Sequence, residues 1–139
     1  MDLDFAFLAD AADVSMGKLF VMGGAFDTIN VGGFPASHPT LAVVFRLLLS
    51  PNDLDRKHKL EILLLDADAH HIASANGELM VPKSPDAPAG WKQAVILPLR
   101  FFNVPFKQAG HYSIEILADE KMLKAIPLRV IQAPAPTTR

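Results

Sequence analysis

The sequence predicts an all-β protein: an antiparallel β-sandwich of seven to nine strands with at most one short helix. Three observations lead there. Short apolar runs with a period of two recur along most of the chain. No amphipathic stretch reaches normal helix length. Clusters of glycine, proline, aspartate and asparagine punctuate the runs at short intervals, as the turns of a sandwich do. A small closed barrel is the alternative architecture. At 139 residues the chain is expected to be one domain over 1–131, with 132–139 (QAPAPTTR) as a flexible tail. That length can bury a core without disulfides or metal, as a chain with no cysteine must.

Each element follows from its pattern. Leu3, Phe5 and Phe7 alternate with Asp4 and Ala6 and open the chain as a strand; Asp10 to Ser15 reads as a polar break. Leu19 to Met22 is a second strand. The pair Gly23-Gly24 suggests a bulge or bend before Phe26, Ile29 and Val31. Gly32 to Pro39 reads as a turn-rich connection. Thr40 to Leu49 is the strongest strand, apolar on both faces except for Arg46. Ser50-Pro51-Asn52-Asp53 then resembles a helix start, with Ser50 as N-cap, Pro51 in the first turn and Asp53 at the favourable end of the dipole. The helix is expected near Pro51 to Arg56.

His58 to Asp66 is another strand, and Asp66 to Ala69 a turn. A weaker strand runs from His71 to Ala75, with Asn76-Gly77 as a tight hairpin turn. The proline-rich stretch Pro82 to Gly90 is a loop. Gln93 to Phe102 alternates again, and Pro98 within it argues for an edge position or a bulge. Gly110 to Val130 closes the chain as a hairpin: Tyr112, Ile114 and Ile116 on one strand, Ile126, Leu128 and Val130 on the other, around the polar break Ala118 to Lys121. The triplet Gly110-x-Tyr112 is similar to the tyrosine corner of immunoglobulin-like sandwiches, where a tyrosine hydroxyl bonds back to upstream backbone. The simpler reading is a core-facing aromatic after a turn glycine.

Several stretches together resemble an uncharacterised family of small bacterial proteins, a domain of unknown function. They are Phe7-Leu8-Ala9-Asp10-Ala11-Ala12, Gly17-Lys18-Leu19-x-Val21-x-Gly23-Gly24-x-Phe26-Asp27, Phe34-Pro35-x-x-His38-Pro39 and Gly110-x-Tyr112. The resemblance covers nearly the whole chain. It implies a bacterial, stand-alone β-rich domain and carries no activity, ligand or catalytic residue.

Composition narrows the function classes. A formal net charge of −2 offers no general attraction to nucleic acid. No apolar run is long enough to span a bilayer as a helix, and the N-terminal stretch MDLDFAFLADAAD is acidic where a signal peptide is basic. The protein is therefore expected to be cytoplasmic, without nucleic-acid or membrane partners. The absence of cysteine excludes thiol catalysis and cysteine metal sites.

Candidate chemistry is sparse. Asp66-x-Asp68-x-His70-His71 sets ligand-type residues close together, but a calcium site needs six to eight oxygens, and adjacent histidines in a strand point to opposite faces. A polar turn in which Asp caps backbone amides is the better reading. Asp10, Asp13 and Asp27 could form an acidic pocket if their loops meet, or be loop carboxylates in water. His38 could act as a base, but Ser37 beside it is not how a Ser–His pair is built. Arg56-Lys57-His58-Lys59 is a basic run offset by Asp53 and Asp55, best read as solvated. Trp91 is expected to anchor the proline-rich loop on the core, or to be an exposed contact for a partner. No catalytic residue, metal or cofactor is assigned.

Three function classes remain: a protein-binding or assembly module, a ligand-binding sandwich or barrel, and a metal-dependent hydrolase using loop Asp and His residues. The first is favoured, because half the residues are apolar and no catalytic constellation is visible. If strands 40–49 and 58–66 pair in one sheet, Ala42, Val44, Leu48, Leu63 and Leu65 share its outer face with Arg46 and Glu61. The expected protein interface is Val44, Arg46, Leu48, Leu63 and Leu65, engaged by a second copy of the chain or another protein, unless the turn after Ser50 or the proline-rich loop covers it.

Overall fold

The computed structural model describes residues 1–134. Nine strands follow in order: β1 (Asp2–Ser15), β2 (Lys18–Gly24), β3 (Thr28–Val31), β4 (Ala36–Leu49), β5 (His58–Leu65), β6 (His71–Leu79), β7 (Gln93–Phe106), β8 (Gly110–Ala118) and β9 (Lys121–Gln132). They form two sheets packed as a sandwich. One has four strands in the order β2-β1-β4-β7; the other has five, in the order β3-β9-β8-β5-β6. All pairings are antiparallel except β3 with β9, which run parallel. The predicted sandwich of seven to nine strands is therefore present.

The core forms because every long strand carries large apolar residues at a period of two. Leu41, Val43, Phe45, Leu47 and Leu49 of β4 face Ile62 and Leu64 of β5, Ile114 and Ile116 of β8, and Leu128 and Val130 of β9 in one buried cluster. Each such side chain contributes about 1.5–3 kcal/mol by leaving water. At one end of this core the rings of Phe106 and Tyr112 meet edge to face, centroids 5.0 Å apart. The Tyr112 hydroxyl donates to the Gln108 carbonyl at 2.6 Å. The back-bond expected of a tyrosine corner is thus made, four residues upstream.

Several boundaries differ from expectation, each for a physical reason. Asp10 to Ser15 is not a break; it continues β1, because β2 pairs with it from Ala9 to Ser15 and satisfies its backbone. Ala36 to Pro39 likewise belong to β4, paired with β7. Asn76-Gly77 makes no hairpin turn: both pair with β5, opposite Glu61 and Leu60, so β6 runs through them. The expected helix is a single 3-10 turn, Pro51–Asp53. Its start is capped as expected, the Asp53 carboxylate accepting from the Ser50 amide and hydroxyl, but it stops early because Leu54 is extended and Asp55 left-handed, with φ of +59°. Pro98 sits on β7, an edge strand, which is one of the two settings expected for it. At the C-terminus, Gln132 still belongs to β9 and the Ala133 amide donates to the Val31 carbonyl. Residues 135–139 of the expected tail lie outside the described residues.

The Gly23-Gly24 bend is also explained. Gly23 has φ of +61°, and the Asp10 carboxylate lies where a β-carbon would stand. Tyr112→Phe is expected to keep the fold and lower the unfolding free energy by about 1 kcal/mol, because the Gln108 carbonyl loses its donor. Urea denaturation monitored by tryptophan fluorescence measures this; an unchanged midpoint would remove the corner from the stabilising interactions.

Candidate functional site

The outer face of the four-stranded sheet is unusual, and its cause lies in β4. On this strand the residues between the core positions are also apolar. Ala42 and Val44 are fully buried, although they point away from the inter-sheet core. They form a second cluster with Ala9 and Ala12 of β1, and Phe5, Phe7, Leu19 and Ile96 pack around it. Phe5 and Phe7 stack with centroids 5.9 Å apart. Small residues at the centre and large ones around them make a shallow apolar platform. Its borders continue as exposed side chains: Met22 is 74% exposed, Phe102 64% and Phe20 58%. Charges on the platform are few and engaged. Arg46 pairs with Asp4, and Arg100 donates to the Ala12 carbonyl at 2.7 Å.

This geometry divides the expected interface. Val44, Arg46 and Leu48 lie on β4 in the four-stranded sheet, whereas Leu63 and Leu65 lie on β5 in the five-stranded one. The two strands are not neighbours because β4 pairs with β1 and β7 along nearly its whole length, leaving no free edge for β5. Leu63 is half-buried between its neighbours Ser74 and Glu115, and Leu65 is buried. Val44 itself is inaccessible. Neither the turn after Ser50 nor the proline-rich loop covers Val44; Phe5, Phe7 and Ile96 do.

The loop Asp66 to His70 brings Asp66, Asp68 and His70 together, with ligand-type atoms within 4.8 Å of one another. The Asp66 carboxylate is already committed. Its Oδ1 accepts from the Asp68 and His70 amides at 2.9 and 2.8 Å, and its Oδ2 lies 3.2 Å from His70 Nδ1. The His70 amide, followed by that of Asp68, holds the Asp66 carboxyl below its ordinary value. This is a capped turn. His71 is in β6 and outside the group.

His38 and Asp10 do line one pocket, with Thr28 and Asn30, beside the Gly23-Gly24 bend. His38 Nε2 is buried there with no hydrogen-bond partner. Asp27 lines a neighbouring pocket and Asp13 the platform rim, so the three carboxylates do not converge. No serine lines the His38 pocket. Trp91 is 62% exposed and does not anchor its loop. Gln93 holds that loop instead, accepting from the Ser84 amide at 2.8 Å and donating to the Pro82 carbonyl at 3.0 Å. A further apolar cavity of about 200 Å³ opens between the sheets at the β6 and β7 edges, where Phe45, Leu60, Ala75, Leu97 and Leu99 meet.

One residue was misread from sequence. His58 is 1% exposed, the one buried polar residue among the described residues. Its Nδ1 lies 2.6 Å from Asp119 Oδ2 and its Nε2 2.6 Å from the Asp53 carbonyl. The basic run hid it: Lys57 and Lys59 are exposed, and only strand alternation from Leu60 and Ile62 places His58 inward.

Two outcomes are expected. Val44→Glu should destabilise by about 3 kcal/mol or more, since a carboxylate there is buried and unpaired; a folded variant of near-native melting temperature would show the platform floor to be open. Asp66→Ala should lower the melting temperature by a few degrees and Asp68→Ala hardly at all, because only Asp66 accepts the turn amides. Calorimetry with calcium and zinc checks the same loop: stoichiometric tight binding would replace the capped-turn reading with a metal centre.

No curated protein matches the chain. Among solved structures it is similar to a glycosyl hydrolase family 2 member from Bacteroides cellulosilyticus DSM 14838, at 15% identity and a TM-score of 0.35 over 70% of this chain. The match spans 14% of that protein's length, and a likeness of this strength carries no argument about activity. A family model, by contrast, matches residues 4–131, from the first strand to the end of the last. The chain belongs to that family, the family of unknown function DUF6941.

Proposed function

We propose that this protein is a non-enzymatic binding or assembly module, and that its docking surface is the outer face of the four-stranded sheet. The observation that carries the reading is the second apolar cluster, on the side of the sheet that a sandwich normally gives to water. The five-stranded sheet follows the ordinary rule: Lys59 and Glu61 pair on its outer face at 3.1 Å, and Glu115 and Arg129 lie on the neighbouring strands. The contrast within one molecule argues against a general tolerance of exposed apolar surface. Large apolar side chains rimming a flat platform are the composition that protein interfaces favour.

A partner protein or a second copy of the chain would cover Phe5, Phe7, Ile96, Met22 and Phe102. β2 adds a free strand edge with Phe20, Val21 and Met22 on it and no proline to guard it. The same reading keeps the sandwich as an immunoglobulin-like, bacterial, cytoplasmic module. The Tyr112 bond to Gln108 supports the immunoglobulin-like part.

A second reading rests on the inter-sheet cavity: a small apolar ligand. Ala73, Ala75 and Gly77 face the core on β6 opposite the larger Leu64, Ile62 and Leu60, which leaves the space unfilled. Ala75→Leu would fill it and abolish binding of an apolar dye such as anilinonaphthalene sulfonate, if the cavity holds ligands.

The platform reading is tested by Met22→Glu combined with Phe102→Glu. Both positions are exposed, so the fold should survive. Sedimentation at tens of micromolar should show the unmodified chain self-associating and the double variant monomeric. If the unmodified chain is a monomer, and the double variant retains every partner captured from a lysate of its own organism, the platform is not the docking surface.

A further inference from the structure

His58 is the buried titratable group that no binding or catalytic reading uses. Its two ring nitrogens both face acceptors: the Asp119 carboxylate on one side, the Asp53 carbonyl on the other, each at 2.6 Å. A carbonyl can only accept, so Nε2 carries a proton. With Nε2 protonated, a neutral ring would turn a bare Nδ1 lone pair towards a carboxylate. The arrangement is satisfied by an imidazolium that donates on both sides.

The partner on the Nδ1 side is itself a strained element. Asp119 and Glu120 form the two-residue turn between β8 and β9, and both have left-handed backbones, with φ of +49° and +67°. Glycine and asparagine favour that conformation; glutamate does not. Surrounding contacts have to hold it. Beyond the Ala118–Lys121 ladder pair that flanks the turn, they come from one place. Asp119 Oδ2 meets His58, Asp119 Oδ1 accepts from the Lys59 amide at 3.0 Å, and the Asp119 amide donates to the Lys59 carbonyl at 2.8 Å.

We infer that His58 is a proton-operated latch: its imidazolium holds the strained β8–β9 turn and the Pro51–Asp53 turn against the start of β5, and loss of its proton releases the β8–β9 turn. The released turn borders an open pocket of about 410 Å³, lined by Lys57, Lys59, Asn76 and Glu78. Opening therefore enlarges the polar end of the five-stranded sheet and leaves the apolar platform untouched.

The charges around the ring set the direction. Asp119 is its closest carboxylate, with Glu120 on the same turn and Lys121 at the start of β9. Asp53 and Asp55 come from the connection before β5, with the Met1 α-amino group 2.9 Å from Asp53. Arg56, Lys57 and Lys59 flank the ring along the chain, and Glu78 faces Lys57 from β6. The Asp119 hydrogen bond outweighs burial and Arg56, and raises the His58 pKa above 6.5. The same bond holds Asp119 below 3.8. The sign follows from linkage. The stabilisation from His58 is complete below pH 6.5 and is lost as pH rises through its raised folded value. That from Asp119 is present above pH 3.8 and is lost as pH falls through its lowered one. The latch is closed below pH 6.5 and opens as pH rises through the raised His58 value.

Long-range proton–nitrogen spectra of the full chain from pH 5 to 10 test this. At pH 5 both His58 nitrogens should be protonated, with a titration midpoint above 6.5, and the Lys59, Asp119 and Glu120 amide resonances should move with the same midpoint. Asp119→Asn should move the His58 midpoint lower by about one pH unit. Glu120→Gly relieves the backbone strain, so its turn amides should shift far less through the His58 titration. A His58 titration midpoint at or below 6.5, or turn resonances that ignore the His58 midpoint, would overturn the latch. So would a Glu120→Gly chain whose turn opens as the unmodified one does.

Discussion

The structure depends on burying both faces of β4. One face of this strand supplies Leu41, Val43, Phe45, Leu47 and Leu49 to the inter-sheet core, and the other supplies Ala42 and Val44 to the outer cluster. A strand apolar on both sides needs cover on both. The inner face obtains it from β5, β8 and β9. The outer face obtains it from its own sheet: β1 brings Phe5 and Phe7 up beside β4, and β7 brings Ile96. Pairing along almost the full length of both neighbours makes this possible and fixes the register in which those rings lie over the small central residues. A slip of one residue would send Phe45 outward and Arg46 into the core.

Most of the fold was legible for the same reason. Period-two alternation is a local property, and it located the strands built on Thr40 to Leu49, His58 to Asp66, Gln93 to Phe102 and Gly110 to Val130. What it cannot report is which strands become neighbours. β4 and β5 are adjacent in the chain and look like a pair, yet they lie in opposite sheets because a 3-10 turn and five more residues carry the chain across. The interface built on Val44 and Leu63 failed at that step; the apolar excess on β4 that motivated it is real. Asn76-Gly77 failed differently. Its local preference for a hairpin turn lost to the ladder with β5, in which both residues pair within a continuing strand. Of the two expectations for Trp91, the loop anchor fails and the exposed position holds, because Gln93 satisfies the loop's backbone groups and leaves the indole free.

His58 shows how composition can hide a role. Within Arg56-Lys57-His58-Lys59 its neighbours in sequence are exposed cations, which argue for a solvated loop. Its neighbours in the strand, Leu60 and Ile62, argue for an inward ring. Alternation was the stronger signal because a strand has no means of turning alternate side chains to the same face. The residue that meets it, Asp119, lies on a turn 61 positions later and carries no local mark. Long-range pairing of a titratable group is the part of a site that sequence patterns do not encode.

The two outer faces then carry different kinds of information. On the five-stranded sheet, Leu63 and Leu117 sit among Lys59, Glu61, Glu115 and Arg129, as scattered apolar residues do on any monomer. On the four-stranded sheet the apolar residues are contiguous, two of the charges are spent on each other and a third on a backbone carbonyl. An accidental excess of hydrophobic residues would fall on both faces. Confinement to one, with small residues at the centre and rings at the border, is the distribution expected of a surface shaped to be covered. The latch at His58 lies on the opposite sheet, at the β8–β9 end, so its opening would change the polar surface while the platform keeps its shape. The proposed docking face and the proposed latch are compatible because one continuous buried cluster, from Leu8 to Val130, lies between them.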